Sequence, residues 1–144
     1  MSRPESWQLI ADNYPFSHRT ETRFADLDML GHINNVAMAG LFEHGRGKFN
    51  HAIEVERRTA DQRWLIAKVE INYIAESFFP DPVDICSGIS RIGSSSWDIA
   101  SAAFQNDVCV ATCVTTIVLT NKDGSVRIND DLRAEFERLT VKGA

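Results

Sequence analysis

The strongest constraint in this chain is a change of hydrophobic period. Between Asn35 and Phe49, the residues Val36, Ala39, Phe42, Arg46 and Phe49 recur at helical spacing, and Leu41 widens the stripe. From Arg63 the period becomes two: Leu65, Ala67, Val69, Ile71 and Tyr73 alternate with Lys68, Glu70 and Asn72, which predicts a strand over Arg63 to Ala75 with one buried face. Three more strand-like runs follow, Val83 to Ile92, Ser95 to Gln105 and Val108 to Thr120, parted by turn chemistry at Gly93-Ser94 and Asn106-Asp107. A lone long helix followed by strands joined through tight turns is an α+β pattern. The helix must bury its stripe, so one long central helix is expected to be wrapped by a five-stranded, mainly antiparallel curved sheet.

Local signals set the element boundaries. A first strand is predicted over Phe16 to Phe24, and Ala25 to His32 is a turn region with Asp26, Asp28 and Gly31. Asn34 fits the helix N-cap, since its side chain can accept from an amide of the first turn. Gly40, Gly45 and Gly47 each cost a helix up to about 1 kcal/mol relative to alanine, so another backbone or a ligand is expected to approach closely there. Ile53 to Gln62 reads as a solvated connection, and Phe79-Pro80-Asp81-Pro82 excludes a central strand. Val108 to Leu119 is apolar or threonine on both faces, which predicts an interior strand. Asn121 to Gly124 turns the chain, and a short amphipathic helix is predicted over Asp130 to Leu139. Trp7, Trp64 and Trp97 are expected in the core or a subunit interface.

Length and charge narrow the function classes. A chain of 144 residues can bury one ordinary core, so one domain is expected, with its core at about 16–121. Fifteen Lys and Arg against 20 Asp and Glu give a net charge of −5, with no basic block to hold a nucleic acid. No apolar run reaches the roughly 18 residues of a membrane span, and Met1 to Trp7 is polar. A cytoplasmic protein with no membrane association is expected. Cys86, Cys109 and Cys113 are odd in number and form no C-x-x-C pair, so they are expected reduced, with Cys109 and Cys113 on one face of their strand. His44 and His51 have no third ligand at metal spacing, and neither a metal nor another cofactor is expected. There is no G-x-S-x-G elbow, Rossmann fingerprint or P-loop.

The chemistry-bearing segment runs from Arg23 to Arg46. Asp28 lies in a turn seven residues before Asn35, and Gly31 permits a close or left-handed backbone. The amides that open the following helix are orphan donors with partial positive charge. A carboxylate facing such a helix start can attack or activate water while the amides hold a developing oxyanion. Equally, Asp26 or Asp28 can be a plain turn residue or cap.

The string Arg23-x-x-Asp26-x-Asp28-x-x-Gly31-His32-x-Asn34-Asn35, with Phe42-Glu43 and Arg46 after it and Arg91-Ile92-Gly93-x-Ser95-Ser96 downstream, resembles the 4-hydroxybenzoyl-CoA thioesterase-like branch of the hotdog-fold acyl-CoA thioesterases. The resemblance covers about residues 16 to 121. It implies a hotdog fold and hydrolysis of an acyl-CoA, or of an acyl carrier protein thioester. Asp28 matches the catalytic aspartate, as nucleophile or general base, and the Asn35 amide matches the donor that polarises the thioester carbonyl. His32, Gly31 and Asn34 match the segment that shapes the pocket and orients water or thioester. Glu43 and Arg46 match positions that brace the helix, although an ion pair of Glu43 with Arg46 or Lys48 is the plainer reading. Arg91, Ser94 and Ser95 match a turn that can meet the pantetheine or nucleotide part of CoA, or serve only as a hairpin. Met38 stands where the family commonly has tyrosine, which implies a softer pocket wall and a preference for aliphatic or flexible acyl groups. The rival readings are a non-catalytic acyl-CoA-binding or regulatory hotdog protein and a structural subunit of a larger complex.

An open sheet also leaves edge strands with unpaired backbone groups. Val83 to Ile92, with only Asp84 and Arg91 as charges, is the expected edge. Its pairing with a two-fold mate predicts a homodimer, or a dimer of dimers, with the site shared between subunits.

Overall fold

The computed structural model describes residues 3–53 and 61–144. Most of the connection predicted over Ile53 to Gln62 lies outside them. A short strand β1 (Phe16–Thr20) precedes the long helix α1 (Asn35–His51), and β2 (Arg63–Tyr73), β3 (Val83–Ile92), β4 (Ser96–Gln105), β5 (Val108–Asn121) and the two-residue β6 (Gly124–Ser125) lead to α2 (Asp130–Arg138). The sheet runs β1-β3-β4-β5-β2, antiparallel throughout, with β6 paired only to β5. The sheet curls around α1 as a half-barrel, the architecture the periodicity predicts.

Helix α1 starts where its cap residue dictates. Asn34 has extended backbone, and its side-chain oxygen accepts from the Ala37 amide at 2.8 Å. The helix buries Met38, Phe42, Gly45, Arg46 and Phe49, whereas Val36, placed on the stripe by spacing, is 75% exposed. Its first half packs with Ile33, Val83, Ile85, Val110 and Cys113, and its second half with Ile89, Trp97, Ile99, Ile117 and the α2 residues Leu132 and Phe136. Each buried phenylalanine contributes about 1.5–3 kcal/mol. Gly45 sets the approach: a Cβ there would stand 2.4 Å from Cγ2 of Ile85. At Gly40 and Gly47 a Cβ would meet nothing within 4 Å among the described residues, so their packing does not use these two glycines.

The other face of the sheet is covered by the chain's ends. Two 3-10 turns, Ser6–Leu9 and Ala11–Asn13, bring Trp7 and Tyr14 onto Cys86, Ala100, Ala102 and Phe104, with Val141 beside them. The Lys142 amide donates to the Asn13 carbonyl at 2.8 Å and ties the two ends together.

Four expectations need correction. The first strand stops at Thr20, and Phe24–Asp26 forms a 3-10 turn instead. Val83 to Ile92 is not an edge: β3 lies between β1 and β4, and its few charges reflect burial on both faces. The long edge is β2, which carries Lys68 and Glu70 and a bulge at Ala67, both common edge devices. That bulge changes parity, so Trp64 before it and Ile71 after it both reach the core and Leu65 faces out at 49% exposed; Val69 and Tyr73 share the face of Ile71 but stay 46% and 52% exposed at the open edge. A second bulge on β5 shifts register between Ala103 and Phe104, so Cys109 joins the outer cluster and Cys113 the helix-side core.

The glycines give a direct test. Gly45→Ala is expected to lower unfolding free energy by about 1–3 kcal/mol through overpacking. Gly40→Ala and Gly47→Ala are expected to raise it by up to about 1 kcal/mol. Urea denaturation of the three variants checks both signs.

Candidate active site

The two aspartates of the turn region have different surroundings. The segment from Asp26 to Asn34 is a small hairpin. The Asn34 amide donates to the Asp26 carbonyl at 2.9 Å, Leu27 bridges Ile33, and the Asp28 amide donates to the His32 carbonyl at 2.8 Å. Gly31, at φ +79°, turns the tip with a backbone conformation L side chains rarely adopt. Asp26 is 4% exposed, and the Arg23 guanidinium meets its carboxylate at 2.7 and 3.1 Å. The Arg23 amide adds a third donor at 3.0 Å. Its hydrogen bonds to Arg23 hold the Asp26 carboxyl below the usual carboxylate range. Asp26 therefore anchors the hairpin, and through Asn34 the start of α1. Asp28 is exposed, and its Oδ1 accepts from the Leu30 amide at 2.9 Å and the His32 amide at 3.2 Å. Two residues of extended chain separate its rung from that of Asn34, about 7 Å.

The head of α1 presents free donors beside this hairpin. Ala37 is capped by the Asn34 side chain, and the Met38 amide donates to the Asn34 carbonyl at 3.0 Å. The amides of Asn35 and Val36, the first two of the helix, have no acceptor among the described residues. The Tyr73 hydroxyl of β2 donates to the Asn35 carbonyl at 2.9 Å and locks the first turn from behind. The helix head lines a cleft of about 750 Å³, walled by Asn35, Val36, Gly40 and Leu41 on one side and Thr20 and Glu21 on the other. Seventeen helical residues point their positive dipole end at it.

One chain assembles only part of the expected site. Asp28, Gly31, His32, Asn34 and Asn35 share the hairpin and helix head, and of these Asn34 and Asn35 line the cleft. The His32 ring turns toward the β2–β3 connection, with Nε2 3.3 Å from Glu76 and an edge against Phe78. Met38 is 3% exposed and sits in the core rather than on the cleft wall. Arg91 lies near the far end of β3, eight strand steps and about 26 Å of strand from Val83, and Ser94 and Ser95 lie in the turn beyond it. There Arg91 holds Asp98 at 3.0 and 3.1 Å and Ser96 at 3.0 Å. The Ser94 and Ser95 carbonyls accept from Ile128 and Leu119. Arg46 is buried and donates to Thr115 at 3.1 Å, bracing α1 on β5, while Glu43 stays on the exposed face and forms no ion pair with it. The sequence reading missed the Tyr73 contact and a pairing of His18 on β1 with His44 on α1, ring centroids 5.3 Å apart. No spacing signal marks either, because both depend on which strand covers which helix face.

The Asp26 anchor carries a pH signature. Its carboxyl is held low in the folded state, so the stability it confers is present above the ordinary carboxylate pKa and is lost as pH falls through the folded value. Asp26→Asn is expected to lower the melting temperature at neutral pH and to flatten its decline between about pH 5 and pH 2. Thermal melts across that range check it.

A family model described as the thioesterase-like superfamily matches residues 22–136. No curated protein matches the chain. Among solved structures, one described as a predicted thioesterase from Bacillus stearothermophilus is 27% identical, with 90% of this chain and 98% of that one covered and a TM-score of 0.79. A thioesterase superfamily protein from Jannaschia is 26% identical over 85% and 81% of the two chains, TM-score 0.75. A Thermus thermophilus thioesterase solved with coenzyme A and zinc is 22% identical over 89% and 96%, TM-score 0.77, a likeness that shows the shared fold. The helix in its curled sheet is the hotdog fold, and the chain belongs to the thioesterase-like superfamily.

Proposed function

We propose that this protein is an acyl-CoA thioesterase that hydrolyses its substrate to a free carboxylic acid and CoA, with Asp28 and the Asn35 amide at the reacting centre. The observation that carries the reading is the pair of free amides at the head of α1, open to the cleft and fixed beside the Asp28 hairpin. Membership of the superfamily supports the reaction class, and the coenzyme A bound by the Thermus protein supports the carrier.

In this mechanism the thioester carbonyl oxygen accepts from the Asn35 amide. Asp28 takes a proton from water as the water oxygen attacks the carbonyl carbon, and the oxyanion that forms is held by the amide and the helix dipole. Collapse breaks the C–S bond, and the leaving thiolate takes up the proton held by Asp28. In the nucleophilic variant the Asp28 carboxylate attacks first and the C–S bond breaks to expel the CoA thiolate, giving an anhydride; water then opens it to the free acid and the Asp28 carboxylate, and the proton it releases goes to the thiolate. His32, Gly31 and Asn34 hold the hairpin and helix head in register.

The working unit in this reading is a homodimer built on β2, replacing the β3 edge expected from sequence. Leu65, Ile66, Val69, Tyr73 and Ile74 are 44–52% exposed along that edge. Met29, Leu30 and Val36, at 100%, 77% and 75%, continue the apolar surface over the Asp28 hairpin. Antiparallel pairing of two β2 strands would satisfy the edge and cover this surface, placing the hairpin at the subunit boundary.

Free-thiol release from a panel of aliphatic and aromatic acyl-CoAs tests the activity. Wild type is expected to turn over at least one of them, and Asp28→Asn to lose roughly 10²–10⁴-fold in kcat with its fold intact. Binding without thiol release across the panel would favour the non-catalytic reading. Equilibrium sedimentation is expected to show no 16.1 kDa monomer for wild type and a shift toward it for Val69→Lys.

A further inference from the structure

Beyond the helix head, the cleft continues along the bare side of α1 into a second recess. Gly40 and His44 line both spaces, and Gly47, Lys48 and Glu43 line the second, of about 420 Å³. Three nitrogen-bearing side chains gather at this end. His18 faces His44 with ring centroids 5.3 Å apart, and Lys48 follows His44 by one helical turn on the same face. Among the described residues, none of the three has a carboxylate within 4 Å, whereas Arg19, Arg23, Arg91 and Arg138 each do. Among the described residues, the carboxylates lining the two spaces are Glu43 on the recess rim and Glu21 and Asp26 on the cleft wall, Asp26 being paired with Arg23. Burial first, then the neighbouring Lys48 and His44, hold the His18 imidazole below its usual pKa, which places the three groups within electrostatic reach of one another.

The distances match one kind of ligand. Nine residues separate Asn35 from His44 and thirteen separate it from Lys48, about 14 and 20 Å of helix. An extended pantetheine arm spans about 16 Å from its sulfur to its phosphorus at ordinary bond lengths. Gly40 lies between these ends with nothing within 4 Å of a Cβ position, which leaves room for a thin polar chain on the helix surface.

We infer that His18, His44 and Lys48 form the subsite for the phosphate that ends the substrate's pantetheine arm, the group that coenzyme A and a carrier-protein arm share. Lys48 supplies the full charge and the imidazoles supply N–H donors. This rests on the thioesterase reading and gives the substrate a direction: acyl carbonyl at Asn35, arm over Gly40, phosphate at His44. It assigns the carrier phosphate to α1 and β1 rather than to the distant Arg91, Ser94 and Ser95.

The test compares one acyl group on three carriers, coenzyme A, 4′-phosphopantetheine and pantetheine, for wild type, His44→Gln and Lys48→Gln. Both residues are exposed, and thermal melts verify that the variants fold. Wild type is expected to favour acyl-phosphopantetheine over acyl-pantetheine in kcat/KM by about tenfold or more, and each substitution to bring that ratio toward one. The same loss with acyl-CoA supports the shared phosphate as the group read. An unchanged ratio in both variants overturns the subsite while leaving the thioesterase reading intact. A loss confined to acyl-CoA also overturns it, because the nucleotide would then be the group recognised. Failure of wild type to cleave any of the three overturns the thioesterase reading and the subsite together.

Discussion

The seating of α1 on β3 at Gly45 governs the rest of the molecule. Any side chain there would meet Ile85, so only glycine lets the helix lie deep enough for Phe42 and Phe49 to be 1% and 0% exposed. Once that face is sealed, the position of the helix head follows. Asn34 caps it, Asp26 receives the Asn34 amide, and Arg23 holds Asp26 in place. A packing constraint in the middle of the helix thus fixes the pair of free amides at its start. The same seating leaves the opposite face of α1 bare, with two glycines whose Cβ positions no described residue approaches within 4 Å.

What was legible in the sequence was local. Asn34 as cap, Asn35 as first helical residue, the α2 span and the hairpin turns all follow from side-chain chemistry within a few positions. The fold class followed from the change of period. What failed depended on neighbours across the sheet. The bulge at Ala67 breaks the alternation counted from Leu65 to Tyr73, and the bulge on β5 parts Cys109 from Cys113, because a single extra residue exchanges the two faces. Sparse charge on Val83 to Ile92 was compatible with either an unprotected edge or a doubly covered interior strand. Only β1, short and weakly patterned, decides for the interior. The motif put Asp28 and Arg91 in one line of text, but the length of β3 keeps their regions at opposite ends of the sheet.

The two aspartates of the hairpin after Arg23, Asp26 and Asp28, illustrate how environment divides labour. Asp26 is buried, its carboxylate accepts three hydrogen bonds from Arg23 and its carbonyl accepts from the Asn34 amide, so it is a fixture of the fold. Asp28 is exposed, orients one oxygen on the amides of Leu30 and His32, and leaves the other without an acceptor role among the described residues. Around it lie Met29, Leu30 and Val36, apolar and facing solvent. A surface of that kind beside an open sheet edge is costly unless something covers it, and a second copy over β2 would bring cover to the hairpin that bears Asp28.

The most direct measurement of the central claim is the amide spectrum of the Asp28→Asn protein, labelled with ¹⁵N, as a non-cleavable ketone analogue of acyl-CoA is added. If the reacting carbonyl docks on the helix head, the Asn35 and Val36 amide resonances move most and in saturable fashion, with the proton of Asn35 shifting downfield as it gains an acceptor. If the analogue binds and the resonances that move are those of Gly93 to Ser96, with Asn35 and Val36 unchanged, the account of the site is contradicted.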